Sequence, residues 1–438
     1  MTDSDKKQIY RRHGDGIDDP NLVLEYDPRF EGTLGTSINR RDFLKAGTLA
    51  GLAGGMGMGM PKPGFAQDKP FNPEVKIGYI PITDAAALLV AHEEGFFKEV
   101  GIPSKKPTLI RGWSTLVEAF SSHRFNLTHM LIPIPIWMRY NNNAKVKITA
   151  WDHTNGSAIV VSRRSGINAP EDFGGKQIAM PYWYSIHNIV SQKLLRKAGI
   201  KPVIRPQNAK LASDECNFMV LPPPDMAPAL AAGTIDGYCV AEPFNALGEL
   251  KAGGKVLRFT GDIWKGHPCC VVVMHEQDAM DPDRAAWAQG VHNAIVGAQM
   301  HLGKNRKAMA EMLSKEGKGY LPYKKDVIER AMLFYDPAYY NNPAAIQHPE
   351  WGIDRINFEG WPYASATDQV TSFLKETKVT SDNSFLNDLT PQHVHKDLVQ
   401  YDYVKNALEN HPDWKKQWME SPTVPDENPY TRVEVIEP

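Results

Sequence analysis

The order of apolar runs in this chain predicts an α/β fold built as two lobes. Two observations carry that reading. Short β-type apolar runs alternate with helical patterns from residue 75 onward, and the alternation restarts near residue 169, after a first block is complete. The length of 438 residues sets the scale, one large two-lobed unit or two domains. At 42% hydrophobic and 23% charged, with a formal net charge of −2, the chain offers no electrostatic basis for a nucleic-acid partner. No apolar run reaches the roughly 18 residues that a membrane span needs, so no direct membrane insertion is expected.

In the first block, residues 75–81 read as a buried strand. A helix is expected over 84–97, with Leu88, Leu89 and Phe96 at roughly helical spacing and Gly95 near its end. Residues 108–111 read as a short strand and 114–122 as a helix that turns Leu116, Val117 and Phe120 inward. Strands follow at 127–132, 145–151 and 158–162. In the second block, a turn-rich stretch over 169–176 leads into a strand at 177–180, then a helix at 186–198 that stops at Gly199. Strands at 216–221 and 235–240 flank a short helix at 226–232 closed by Gly233. A last apolar strand at 269–274 precedes helices at 285–304 and 306–314. Beyond residue 340 there are helical pieces, such as 366–375, but no third sheet is expected. The chain is expected to cross between lobes near 161–164 and to return near 267–271. The expected divisions are 68–163 and 267–340 for the first lobe, 164–266 for the second, and 341–438 as an extension packed on the first.

The N-terminal segment stands apart. Arg40 and Arg41, then Phe43 and Leu44, a weakly apolar glycine-rich run over 46–60, and Ala66 before Gln67 resemble a twin-arginine export signal. Residues 1–67 are therefore expected to direct the chain to the periplasm. No Cys follows the apolar run, so no lipid anchor is expected there. The cysteines are Cys216, Cys239, Cys269 and Cys270; their spacing fits no paired C-x-x-C zinc template. An oxidising compartment permits disulfides, although adjacent Cys269 and Cys270 rarely bond to each other.

Several stretches carry a family resemblance: 76–84 (Lys-Ile-Gly-Tyr-Ile-Pro-Ile-Thr-Asp), Gly112-Trp113, 155–159 (Asn-Gly-Ser-Ala-Ile), 237–244 (Gly-Tyr-Cys-Val-Ala-Glu-Pro-Phe), Trp264 with His267-Pro268, and 355–369. In that order they resemble the nitrate/bicarbonate-binding family of ABC importers, within a wider group that binds sulfonates, taurine and thiamine precursors. The resemblance implies a type II periplasmic binding protein fold, two α/β lobes joined by a two-strand hinge. It also implies a monomer that captures a small-molecule ligand for an ABC permease and its ATPase, with no cofactor and no resident metal. By position, Trp113 matches the family's ligand-contacting Trp, Asn155 or Ser157 its amide, and His187 its second-lobe His. The family's Lys after His-Pro is replaced by Cys269 and Cys270. A buried anion needs compensating charge or several donors, so this departure argues against a simple nitrate site.

Each candidate has a structural alternative. Thr83 and Asp84 are expected to cap the first helix, with Thr83 also a ligand donor; Asp84 there would repel an anion unless a metal or cation intervenes. Trp113 is a packing residue or a ligand platform. Tyr182 and Trp183 would wall the second lobe beside His187, which is a satisfied structural His or a ligand contact. Glu242 is part of a hinge turn or a carboxylate facing the cleft. Cys269 and Cys270 are expected to point to opposite faces of a strand. They are core filler, a soft lining of the site, or part of a thiolate/imidazole metal site with His267 or His187. Arg163 and Arg164 read as a solvated turn or an importer contact.

No nucleophile elbow, P-loop, H-E-x-x-H or strand-following G-x-G-x-x-G is present, so a binder and not an enzyme is expected. Two alternatives remain: an exported accessory protein that delivers a solute or metal to a partner enzyme, and an enzyme like the thiamine-precursor synthases. In the expected mechanism Thr83, Trp113 and Asn155 receive the solute, and His187 and the Glu242 loop close over it.

Overall fold

The computed structural model describes residues 71–207, 209–416, 421 and 428–438. The expected export signal, residues 1–67, lies outside the described residues. The strands in chain order are β1 (Ile77–Tyr79), β2 (Thr108–Leu109), β3 (Leu127–Leu131), β4 (Val146–Trp151), β5 (Thr154–Asn155), β6 (Ser157–Ser162) and β7 (Gln177–Met180). They continue with β8 (Lys201–Val203), β9 (Glu215–Val220), β10 (Gly237–Ala241), β11 (Gly254–Phe259), β12 (Cys270–His275) and β13 (Ile356–Asn357). The helices that frame the site are α1 (Ala86–Glu93), α2 (Trp113–Ser121), α3 (Pro133–Tyr140), α4 (Ile186–Lys197), α5 (Phe244–Lys251), α6 (Ala285–Leu313), α7 (Ala364–Glu376) and α8 (Pro391–Leu398).

Each lobe has its own sheet. The first runs β2-β1-β3-β12-β4 and the second β11-β6-β10-β7-β9-β8. In the first, β1 pairs in parallel with β2 and β3, whereas β12 is antiparallel to both β3 and β4. β12 reads as a continuous apolar run because both its faces are covered. Val271 and Val273 join the core on one face of the sheet, Val272 and Met274 the core on the other, against α1 and α6. In the second sheet β6 is antiparallel to β10 and β11, and β7 is parallel to β10 and β9.

This pairing moves one expected boundary. β6 was expected in the first lobe, with the crossing near 161–164, but it is hydrogen-bonded to β10 and β11 of the second sheet. The crossing therefore falls at 152–156, between β4 and β6. Two apolar strands in succession look alike in sequence, and only the distant partner tells which sheet a strand joins. The return lies at 260–269, between β11 and β12, close to its expected place.

The expected helix over 84–97 is interrupted. A 3-10 turn, Thr83–Ala85, precedes α1, and Gly95 at φ 84° ends it. The break expected between 304 and 306 is present within α6, where Asn305 has non-helical φ −123° and ψ 28°. α3 has no counterpart in the sequence reading because Pro133 and Pro135 conceal it. Both lie in its first turn, where backbone N–H groups lack an intrahelical partner and Pro is tolerated. β13 adds a two-residue ladder to β5 where no further sheet was expected.

The C-terminal segment does not pack on the first lobe alone. α7 touches α3 of the first lobe and α4 of the second. On the second lobe, the Lys378 carbonyl accepts from Asn188 and Gln192 side chains at 3.1 and 2.9 Å. On the first, Asp397 of α8 accepts two bonds from Arg139 of α3, at 2.5 and 2.7 Å.

Candidate functional site

Strand ends converge where the chain crosses between lobes. The turn after β1 carries Thr83 and Asp84, the exit of β4 carries Asp152 and His153, and the entry of β12 carries Cys269 and Cys270. From the second lobe come Ser157, which opens β6, and His187, in the first turn of α4 behind the Ser185 cap. All eight side chains are buried, none more than 1% exposed.

One oxygen of Asp84 organises the cluster. Oδ2 lies 2.8 Å from His153 Nε2 and accepts from the thiols of Cys269 and Cys270, each at 3.4 Å. The Cys270 backbone N–H donates to the same His153 nitrogen at 3.1 Å. The Ser157 hydroxyl is 2.9 Å from His187 Nε2 and 3.7 Å from Cys269 Sγ, and His187 Nε2 is 4.0 Å from that sulfur. The side chains of both lobes thus meet across Cys269. Asp84 Oδ1, both Asp152 oxygens, His153 Nδ1 and His187 Nδ1 have no hydrogen-bond partner among the described residues. Asp84, His153, Cys269 and Cys270 each offer one metal-ligating atom, all within 4.8 Å of one another.

Burial and mutual charge shift these groups in opposite directions. Burial pushes the Asp84 carboxyl up to about 7 and the Asp152 carboxyl well above its usual range. Burial pulls imidazoles down, holding His129 at about 3 and His267 at about 4. At His153 burial also acts downward, but the charge and contact of Asp84 outweigh it and raise the ring well above its ordinary value. Burial lifts the Cys270 thiol well above its usual value. At Cys269 the opposite holds: burial acts upward, but the bond from Cys270 and the imidazoles of His187 and His153 prevail and bring the thiol well down.

Asp84, Ser157, His187, Cys269 and Cys270 are brought together, but several details differ from expectation. Asp84 does not cap the helix: the turn begins without a side-chain cap, and the carboxylate faces the cysteines instead. Cys269 and Cys270 do not point to opposite faces. Cys269 precedes the first residue of β12, so strand alternation does not govern it, and both sulfurs reach Asp84. Thr83 bonds the Glu242 carbonyl through both its N–H and its hydroxyl, at 2.8 and 3.2 Å. Trp113 opens α2, 2% exposed, with its ring edge-on to His129 at 5.6 Å.

Asn155 serves the backbone. Its φ of 59° and the 75° of Gly156 put two left-handed residues in the crossing, and its amide donates to the Asp354 carbonyl at 3.3 Å, while its Oδ1 is buried without a partner among the described residues. Ser157 therefore takes the place beside His187. The Glu242 carboxylate is held by Arg355 and not by the cleft. His267 is not a free ligand, since its nitrogens contact Thr260 Oγ1 at 2.7 Å and the Pro268 carbonyl at 3.0 Å. Tyr182 and Trp183 are half-buried on the loop ahead of α4, with Tyr182 edge-on to Trp137. Arg163 and Arg164 are exposed. The sequence reading missed Asp152, His153 and His129. A polar Asp-His pair between a strand exit and Asn155-Gly156 was the available signal for the first two. His129 sits inside an apolar strand, where its Nε2 accepts the Ile80 N–H at 3.1 Å.

A family model described as the NMT1-like family matches residues 68–314, more than half of the chain. The nitrate/nitrite binding protein NrtA of Nostoc sp. is 30% identical over 59% of this chain and 60% of its own length. The nitrate import ATP-binding protein NrtC of Synechocystis sp. is 30% identical over 46% of this chain and 31% of its own. The matches thus span less than two thirds of either relative. Among solved structures, the periplasmic nitrate-binding protein NrtA from Synechocystis superposes with a TM-score of 0.64 at 19% identity, covering 81% of this chain and 92% of that one. The two-lobed architecture is that of the periplasmic binding proteins.

Proposed function

The chain belongs to the NMT1-like family, and on that premise we propose that it is the solute-binding component of an ABC importer, closing on a small solute between its lobes. One observation carries the proposal: Asp84 and Cys269 from the first lobe and Ser157 and His187 from the second meet in a single buried cluster at the chain crossings. A core with no function would leave few such groups without partners. A solute that bridges the lobes shifts the open–closed equilibrium by its extra affinity for the closed form. The named roles of NrtA and NrtC support this reading, with a permease and its ATPase as partners and binding, not catalysis, as the task. The protein acts as a monomer in the periplasm, reached by the twin-arginine route that Arg40 and Arg41 suggest.

The solute is small and polar. A bare anion meets Asp84, Asp152 and two sulfurs, with Cys269 and Cys270 in the place of a lysine. Calorimetry against nitrate, bicarbonate, cyanate, thiocyanate and short alkanesulfonates tests the proposal, with mass spectrometry of the solute afterwards. One-site heat with the solute recovered unchanged is expected. Chemical conversion of the solute would replace the binder with an enzyme.

A further inference from the structure

We infer that Asp84, His153, Cys269 and Cys270 form a four-ligand site for a thiolate-binding divalent transition-metal ion of the zinc class. The inference deepens the proposal above and rests on it for the claim that the ion is seated where the lobes close. Donor chemistry is the first support. Two sulfurs, one imidazole and one carboxylate favour zinc-like ions over the hard cations that take oxygen alone. Distance is the second. A tetrahedral zinc centre places its ligand atoms roughly 3.3–3.8 Å apart, given metal–ligand bonds of about 2.0–2.3 Å. Both Asp84–sulfur separations are 3.4 Å and no pair among the four exceeds 4.8 Å, whereas Asp84 and His153, in hydrogen-bond contact at 2.8 Å, must part by about 0.5 Å to seat the ion.

Buried acidic groups without partners supply the third support. Asp84, Asp152, Cys269 and Cys270 are buried together, and three of the four carboxylate oxygens lack a partner among the described residues. Buried acids without compensation are expensive, and a cation removes the deficit. His153 faces Asp84 Oδ2 through Nε2 at 2.8 Å, and its Nδ1 is buried without a partner among the described residues. The backbone is suited to hold the ion, because Asp84, His153 and the cysteines lie where three strands of one sheet begin or end. His187 Nε2, 4.0 Å from Cys269 Sγ, is the donor that the second lobe brings to the ion's edge.

Cobalt(II) tests the inference, since thiolate ligation gives an intense near-ultraviolet charge-transfer band. The reduced full-length protein is stripped with a chelator and titrated with cobalt(II). One equivalent that develops the band, and loses it on adding zinc, is expected. The double substitution Cys269→Ser/Cys270→Ser abolishes the band, whereas Cys216→Ser/Cys239→Ser keeps it and serves as the folded control. No band in the unsubstituted protein, or a band that survives Cys269→Ser/Cys270→Ser, overturns the inference. The metal-free protein is titrated separately with the small solutes. Heat without a cobalt band overturns the metal site and keeps the solute-binding proposal. A band with neither solute heat nor a more compact small-angle scattering profile supports the site and overturns that proposal.

Discussion

Arg355 grips Glu242 with two bonds, 2.7 Å from Nε and 2.6 Å from a terminal nitrogen, and neither side chain reaches solvent. The pair joins residues 113 positions apart and ties the residue just before β13 to the turn after β10. Glu249 of α5 adds a second carboxylate to the same guanidinium at 3.1 Å. Burial pushes the Glu242 carboxyl upward, and Arg355 opposes that shift. The pair anchors the turn whose carbonyl receives Thr83.

Removing Glu242 leaves the buried Arg355 with Glu249 as its remaining carboxylate. Glu242→Gln is expected to lower the unfolding free energy by about 1.5–3 kcal/mol, read from urea denaturation. Unchanged stability with weakened solute binding would instead return Glu242 to the cleft.

Trp113 separates packing from recognition. Its indole N–H is buried without a partner among the described residues. Trp113→Ala is expected to destabilise by about 3–5 kcal/mol through lost packing. Trp113→Phe keeps most of the ring and removes only the N–H. A solute affinity that falls with Trp113→Phe assigns that N–H to the ligand; an unchanged affinity makes Trp113 a packing residue.

All four cysteines are free and buried. The closed, solute-bound protein is expected to show no rapid reaction with an aromatic disulfide reagent, and four thiols on unfolding in urea. Two thiols released on unfolding would mean that a disulfide had formed. A thiol reactive in the folded state would mean that the lobes open to admit the reagent.

Asp397 provides a pH signature remote from the cluster. Its bonds from Arg139 hold the carboxyl at about 2, below the ordinary 3.8. A depressed carboxyl stabilises the fold above its unfolded value and loses that contribution as pH falls through the folded one. The stabilisation should therefore fade between 3.8 and about 2. Its size is about 1 kcal/mol once solvent screening is allowed for. Asp397→Asn should lower stability at neutral pH and flatten the acid limb over that window.

Much of the fold was legible along the chain. Continuous apolar runs such as 270–274 announced strands covered on both faces, and the restart after residue 169 announced the second lobe. Family motifs marked Trp113, Ser157, His187 and the Cys269-Cys270 pair. The misses share a cause. β6 has no local feature that distinguishes one sheet from the other, and α3 is hidden by prolines that only its first turn tolerates. Asn155, matched to a ligand position by its motif, also holds a left-handed backbone turn that no local pattern announced. For Glu242 the sequence left a hinge turn and a cleft carboxylate equally open, because Arg355, its partner, lies far along the chain.

Local propensity and burial pattern act over a few residues, so the sequence by itself determined the element types, the two α/β blocks and the residues near the crossings. Direction and partnership depend on long-range contacts, so the tertiary structure alone decided that Asp84 faces two sulfurs and that His153 joins them. It also decided that Glu242 belongs to Arg355. Residues 84, 153, 269 and 270 share no spacing that a helix or strand could read; they meet because three strands of one sheet begin or end at the same place.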